Sequence, residues 1–158
     1  MRPSGNYGNK GGFTLIELFV ALSLIGVALS TTVAALSQIN SIASVARNLT
    51  GATTVAQNQI DLLVSNSPFN PQKTNPDGTL QVPPEFTLGT HTTNNVPIYK
   101  DPASGVVVSG TMTTVVTDVS ATYNGFSIPM YQATVTITYK YRSRSYSVTM
   151  STVRTSDI

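Results

Sequence analysis

The chain has 158 residues, 41% of them hydrophobic and only 10% charged, with no cysteine and a formal net charge of +2. This length allows one modest domain beside an N-terminal segment, and the lack of cysteine excludes a disulfide scaffold. A charged share well below the usual ~25% leaves Ser, Thr, Asn and Gln to supply polarity, as suits an exported β-rich protein. The two excess cations are Arg2 and Lys10; beyond them basic and acidic residues balance, so net charge points to no particular partner.

Residues 1–12 (MRPSGNYGNKGG) are polar, basic and glycine-rich. They read as a leader held on the cytoplasmic side of a membrane, which places the rest of the chain outside the cytoplasm. From Phe13 to Leu36 the only ionisable side chain is Glu17, and a helix of that length covers the ~30 Å hydrocarbon core of a bilayer. An acid in such a segment costs a few kcal/mol and calls for a partner. No Lys or Arg follows within the span. A cut between Gly12 and Phe13 would supply the missing cation as a new chain amino terminus.

Gly12-Phe13-Thr14-Leu15-Ile16-Glu17 behind a short basic leader resembles the class III signal of type IV pilins and type II secretion pseudopilins. The resemblance implies cleavage after Gly12 by a prepilin peptidase and N-methylation of the new Phe13 amine. It further implies storage as a single-pass inner-membrane precursor, then assembly by the pilus machinery into an extracellular or periplasmic filament. Phe13, Leu15, Ile16 and Glu17 would be the assembly residues, with Glu17 paired to the amine of a neighbouring subunit. Two other readings compete. In one, an ordinary secretory signal is cut near Ala28-Leu29-Ser30 or Val33-Ala34-Ala35, freeing a β-rich binding domain; in the other, the segment is a plain single-pass anchor. Neither explains Glu17 or the Gly12-Phe13 junction.

After Leu36 the pattern becomes one-sided. Ile39, Ile42, Ala46, Leu49, Ala52 or Thr53, Ala56, Ile60 and Leu63 recur at helical steps, while Asn40, Ser44, Arg47, Asn48, Asn58 and Asp61 fall elsewhere. The spacing predicts that the helix continues over 37–66 in amphipathic form, ending before Pro68, with Gly26 and Gly51 as weak points. Residues 67–105 hold seven of the nine prolines and read as a variable connecting loop with one short strand near Phe86–Leu88.

Residues 106–158 read as an antiparallel sheet of three strands, roughly 106–122, 127–142 and 145–155. Tyr131, Ala133, Val135, Ile137, Tyr139 and Tyr141 alternate with Gln132, Thr134, Thr136, Thr138, Lys140 and Arg142. A two-residue turn at Asn124-Gly125 would set Val116 against Ala133 and Met112 against Ile137. A turn at Ser143-Arg144 would set Tyr141 against Tyr146, Tyr139 against Val148 and Ile137 against Met150. The expected fold class is therefore α+β: a long N-terminal helix, transmembrane then amphipathic, covering a small antiparallel sheet.

No catalytic constellation emerges. The single histidine, His91, stands among threonines, and a nucleophile would need a base with an orienting acid. No cofactor is expected. Asp77, Asp101 and Asp118 are scattered and give no metal-ligand spacing. Lys140, Arg142, Arg144 and Arg154, interleaved with Tyr139, Tyr141 and Tyr146, raise nucleic-acid binding as an alternative to a hairpin with buried tyrosines and solubilising cations. The hairpin is the preferred reading. Function is expected to be structural, as a pilus or pseudopilus subunit. The lack of a helix proline before Asn66, the lack of a disulfide and a faint resemblance of Ala56–Asn66 to a minor-subunit helix end favour a minor one.

Overall fold

A helix-favouring run free of proline from residue 15 to 65 gives one long element. In the computed structural model, which describes residues 12, 14–102 and 104–157, helix α1 spans Leu15–Ser65. The chain divides into two units, Met1–Ala43 and Ser44–Ile158.

In the first unit every residue from 14 to 40 is exposed, including all the large apolar side chains. Four of the hydroxyls here bond back to the helix. Ser23 donates to the Phe19 carbonyl, Ser30 to Val27, and Thr31 and Thr32 both to Ala28. Their polarity is thus satisfied within the helix, as an apolar surrounding demands.

In the second unit, strands β1 (Gly89–Lys100), β2 (Val107–Asp118), β5 (Met130–Tyr141) and β6 (Arg144–Thr155) form an antiparallel sheet in the order β1-β2-β5-β6. A separate hairpin pairs β3 (Ala121–Tyr123) with β4 (Phe126–Ile128). The alternation of β5 is realised: Tyr131, Ala133, Val135, Ile137 and Tyr139 are buried. Helix residues Ala52 and Ala56 pack with Ile98, Val135, Ile137 and Tyr139, while Leu63 packs with Phe69, Val82, Phe86, Val116, Tyr131 and Ala133. The α+β architecture is that expected, with one face of the sheet covered by helix.

Several expectations are corrected. Within 67–105, the short strand near Phe86–Leu88 is replaced by a 3-10 turn at Pro84–Phe86 and a twelve-residue strand, β1. β1 lies at the sheet edge, where the missing N–H of Pro97, opposite Ser109, is tolerated. Its register shifts between Thr93 and Val96 and again between Pro97 and Tyr99, which blurs the alternation. The Asn124-Gly125 turn forms with both residues at positive φ, and Val116 faces Ala133 and Met112 faces Ile137 as expected. The ladder nevertheless breaks near Val119–Ser120, which separates β3 and β4 from the main sheet. The last turn falls on Arg142-Ser143, at φ 47° and 64°, so Tyr139 faces Tyr146, Ile137 faces Val148 and Val135 faces Met150. That two-residue shift preserves every face, because the side-chain period is two.

The covering face of the helix is also rotated from expectation. Ile39, Ile42 and Leu49 are exposed, whereas Asn48 and Gln59 join Ala52, Ala56 and Leu63 inside. The reason is close approach. A Cβ on Gly51 would lie 2.3 Å from the Ile98 carbonyl oxygen, so Gly51 and its small neighbours mark where helix meets sheet.

Candidate functional site

The start of α1 is built by Thr14 and Glu17. The Glu17 amide donates to the Thr14 carbonyl (3.1 Å) and to Thr14 Oγ1 (3.3 Å), and the Leu18 amide donates to the same carbonyl (3.2 Å). Thr14 is therefore the N-cap and Glu17 the third helical residue, the positions of a capping box. The Thr-x-x-Glu spacing carried this signal in the sequence, and reading Glu17 only as an intramembrane acid passed over it. At the third position the carboxylate also lies at the positive end of the helix dipole.

Gly12 is exposed, with no atom within 4 Å of where a Cβ would stand. Leu15 and Ile16 are 87% and 72% exposed. Phe13, the other residue assigned to processing and assembly, lies outside the described residues. Among the described residues no cation is paired with Glu17. The N-terminal segment thus offers an accessible glycine, a capped helix start, one acid and a helix apolar all round. Within the described chain, α1 is the one helix long and apolar enough to cross a membrane.

Of the basic and aromatic residues read as a possible nucleic-acid cluster, Lys140, Arg142 and Arg144 stay together at the β5–β6 turn, while Tyr139 is withdrawn into the core and Arg154 leaves the group. Tyr139 is buried and stacks on Tyr146 (centroids 5.4 Å apart), and burial raises its phenol pKa above the usual tyrosine value. Arg154 sits at the opposite end of β6 from Arg144. It donates to the Leu63 carbonyl (2.7 Å) and to that of Asn66, pairs with Asp157 at 2.7 Å, and covers the Phe69 ring at 4.6 Å. It supplies the cation missing from the last turn of α1. One of the three rings is therefore lost to the core, Tyr141 and Tyr146 are partly buried against it, and one of the four cations is committed to a helix end.

His91 contacts the Thr87 hydroxyl and carbonyl at 3.1 and 3.0 Å. The three scattered aspartates do not converge, and among the described residues no group of three or more His, Cys, Asp or Glu is arranged to hold a metal. Asp77 binds Thr79, while Asp118 binds the Ser120 amide and Gln72.

In comparison with known families, residues 8–33 fit the prokaryotic N-terminal methylation motif, the class III signal peptide of type IV pilins and pseudopilins. No curated protein and no solved structure matches the chain.

Proposed function

We propose that this chain, a precursor carrying the pilin and pseudopilin methylation motif, is a structural subunit, and a minor one, of a type IV pilus or type II secretion pseudopilus. The prepilin peptidase would cut between Gly12 and Phe13, Phe13 would carry the methylated amine, and the mature helix would join other subunits through Leu15 and Ile16. The carrying observation is the junction of that motif with a helix whose residues 15–40 are all exposed. A surface this apolar and this large is stable only in lipid or among like helices.

Glu17 then has a role in both states. In the membrane-held precursor its carboxylate lies at the helix N-terminus, where the dipole moderates its cost. In a filament, the amine released four residues upstream on a neighbouring subunit would pair with it and fix register, since a buried acid left unpaired costs several kcal/mol. Before assembly the chain would sit in the inner membrane with the Ser44–Ile158 unit outside the cytoplasm. No reaction is assigned to it.

The test is the mass and N-terminal sequence of the mature protein from its native host. A chain beginning with N-methylated Phe13 is expected. Retention of Met1, or a start beyond Ser30, overturns the proposal. Glu17→Ala is expected to leave processing intact while abolishing incorporation into sheared filaments.

A further inference from the structure

The Ser44–Ile158 unit has few charges, and the fold sorts them by sign. Arg47, Asn48, Tyr99, Asp101, Val108 and Tyr141 line one cavity of about 210 Å³, which fixes the start of this unit's helix beside the end of β1, the start of β2 and the β5–β6 turn. Arg47, Lys100, Lys140, Arg142 and Arg144 gather at that end, with Asp101 as its one carboxylate. The opposite end of the sheet carries Asp118 at the close of β2 and Asp157 after β6. Asp61 lies near the end of α1, exposed beside Asn58, Leu62 and Ser65; Glu85 precedes the buried Phe86 in sequence, and Asp77 lies on the excursion tied back by the Gln81 amide to Lys73. Only Lys73 and Arg154 oppose these five acids, and Arg154 is held by Asp157.

Twelve-residue strands separate the two ends by roughly 35–40 Å, several times the ~8 Å Debye length at physiological salt. The poles therefore cannot neutralise each other within one molecule. Hydrogen bonds from Thr79 to Asp77 and from Ser120 to Asp118 hold both carboxyls below the usual carboxylate range, so the acidic end stays ionised at neutral pH. That end also carries the β3–β4 hairpin, with Tyr123 69% and Phe126 77% exposed. Exposed rings beside carboxylates suit guanidinium groups, and Arg142 already lies over the Tyr141 ring at 5.6 Å within its own copy.

We infer that this unit docks on a second copy of itself pole to pole, the Arg142 and Arg144 tip of one copy seating on the Asp118 end and the Tyr123 and Phe126 hairpin of the next. Such a contact joins two different surfaces, so each copy can bind another at either pole and the contact can join a pair or extend further. It deepens the filament reading and rests on it for its setting, by adding a salt-sensitive contact distinct from the apolar helix.

The experiment uses the full-length protein extracted from host membranes into nonionic detergent, with self-association followed by sedimentation. Wild type is expected to associate at low ionic strength and to lose at least about tenfold in association constant at several hundred millimolar salt. Arg142→Glu with Arg144→Glu, and separately Asp61→Lys with Asp118→Lys, should each abolish that association alone. An equimolar mixture of the two variants should regain it, which also shows that both are folded. Failure of the mixture to associate, or wild-type association indifferent to salt, overturns the proposal. So does a basic-tip variant that loses only binding to vesicles containing anionic phospholipid, which assigns the tip to headgroups. The N-terminal mass of the same samples is read separately. An unprocessed chain with intact pairing removes the filament reading and leaves the contact standing; a processed chain without pairing does the reverse.

Discussion

Helix α1 uses apolar residues in opposite ways along its length. In its first part the large side chains are the exposed ones, Leu22, Leu24, Ile25, Leu29 and Leu36 among them. Between Ser44 and Ser65 the small Ala52 and Ala56 are fully buried next to Gly51, with Leu63 buried farther along, while Leu49 and Leu62 remain outside. Size here tracks the partner. A helix packing on its own sheet gains by close approach, so small residues mark the seam. A helix meeting lipid gains by moving as much apolar surface as it can out of water.

The sharpest way to break this contrast is one substitution made in both parts. Leu24 and Leu62 are similarly exposed, at 66% and 58%. Leu24→Lys should cost about 3 kcal/mol of membrane insertion and release the protein from the carbonate-washed membrane fraction. Leu62→Lys should leave both retention and thermal stability unchanged. Equal effects at the two positions would mean that both parts face the same medium.

Glycine gives the next comparison. At Gly26 a Cβ meets nothing within 4 Å, whereas at Gly51 it meets the Ile98 carbonyl oxygen at 2.3 Å, a backbone atom that cannot swing aside. Gly51→Ala should destabilise the Ser44–Ile158 unit by about 2–3 kcal/mol, read as a lowered denaturant midpoint. Gly26→Ala should be neutral there and slightly favourable to the helix.

How legible these features were in the sequence follows from how local their causes are. The membrane-length segment, the Gly12 to Glu17 motif and the alternation of Tyr131 to Tyr141 rest on short-range patterns, and each was readable. The Asn124-Gly125 turn was readable because both residues tolerate positive φ. Arg142-Ser143 adopts the same conformation without either residue type that advertises it, which is why the final register was misjudged by two. β1 stayed hidden because an edge strand with Pro97 and two register shifts keeps little periodicity. Asn48 and Gln59 were assigned to solvent or left unplaced because their burial depends on the helix rotation fixed at Gly51, a tertiary fact. The pairing of Arg154 with Leu63 and Asn66 spans about ninety residues of sequence, and no local pattern could announce it.

Arg154 makes the next prediction. With its side chain 15% exposed, it joins the end of α1 to β6, Phe69 and Asp157. Arg154→Ala should leave the Leu63 and Asn66 carbonyls without that donor and cost about 2 kcal/mol. Arg154→Lys should recover only part of this, because an ammonium does not reproduce the planar reach of guanidinium over a ring and two carbonyls. Thermal unfolding of the three proteins gives the order; equal midpoints for Lys and Arg would reduce the site to simple charge.

The smallest effect is expected at Tyr139, where both sides of the contrast meet in one side chain. Its ring belongs to the seam with Ala52 and Ala56, but its hydroxyl is buried without a hydrogen-bond partner. Replacing a buried, unpaired hydroxyl by hydrogen removes a desolvation cost and leaves the ring packing in place. Tyr139→Phe should therefore be neutral or stabilising by up to about 1 kcal/mol at pH 7. Burial raises the pKa of Tyr139, and with it that of Tyr131, above the ordinary tyrosine value of about 10. The folded state holds these protons more tightly than the unfolded chain, so their contribution is complete below pH 10 and is lost as pH climbs through the folded pKa. Wild type should accordingly lose thermal stability above pH 10, and Tyr139→Phe should lose less over the same window. If the two proteins lose stability in parallel, the alkaline sensitivity belongs to Tyr131 beside Asp118 and not to the seam.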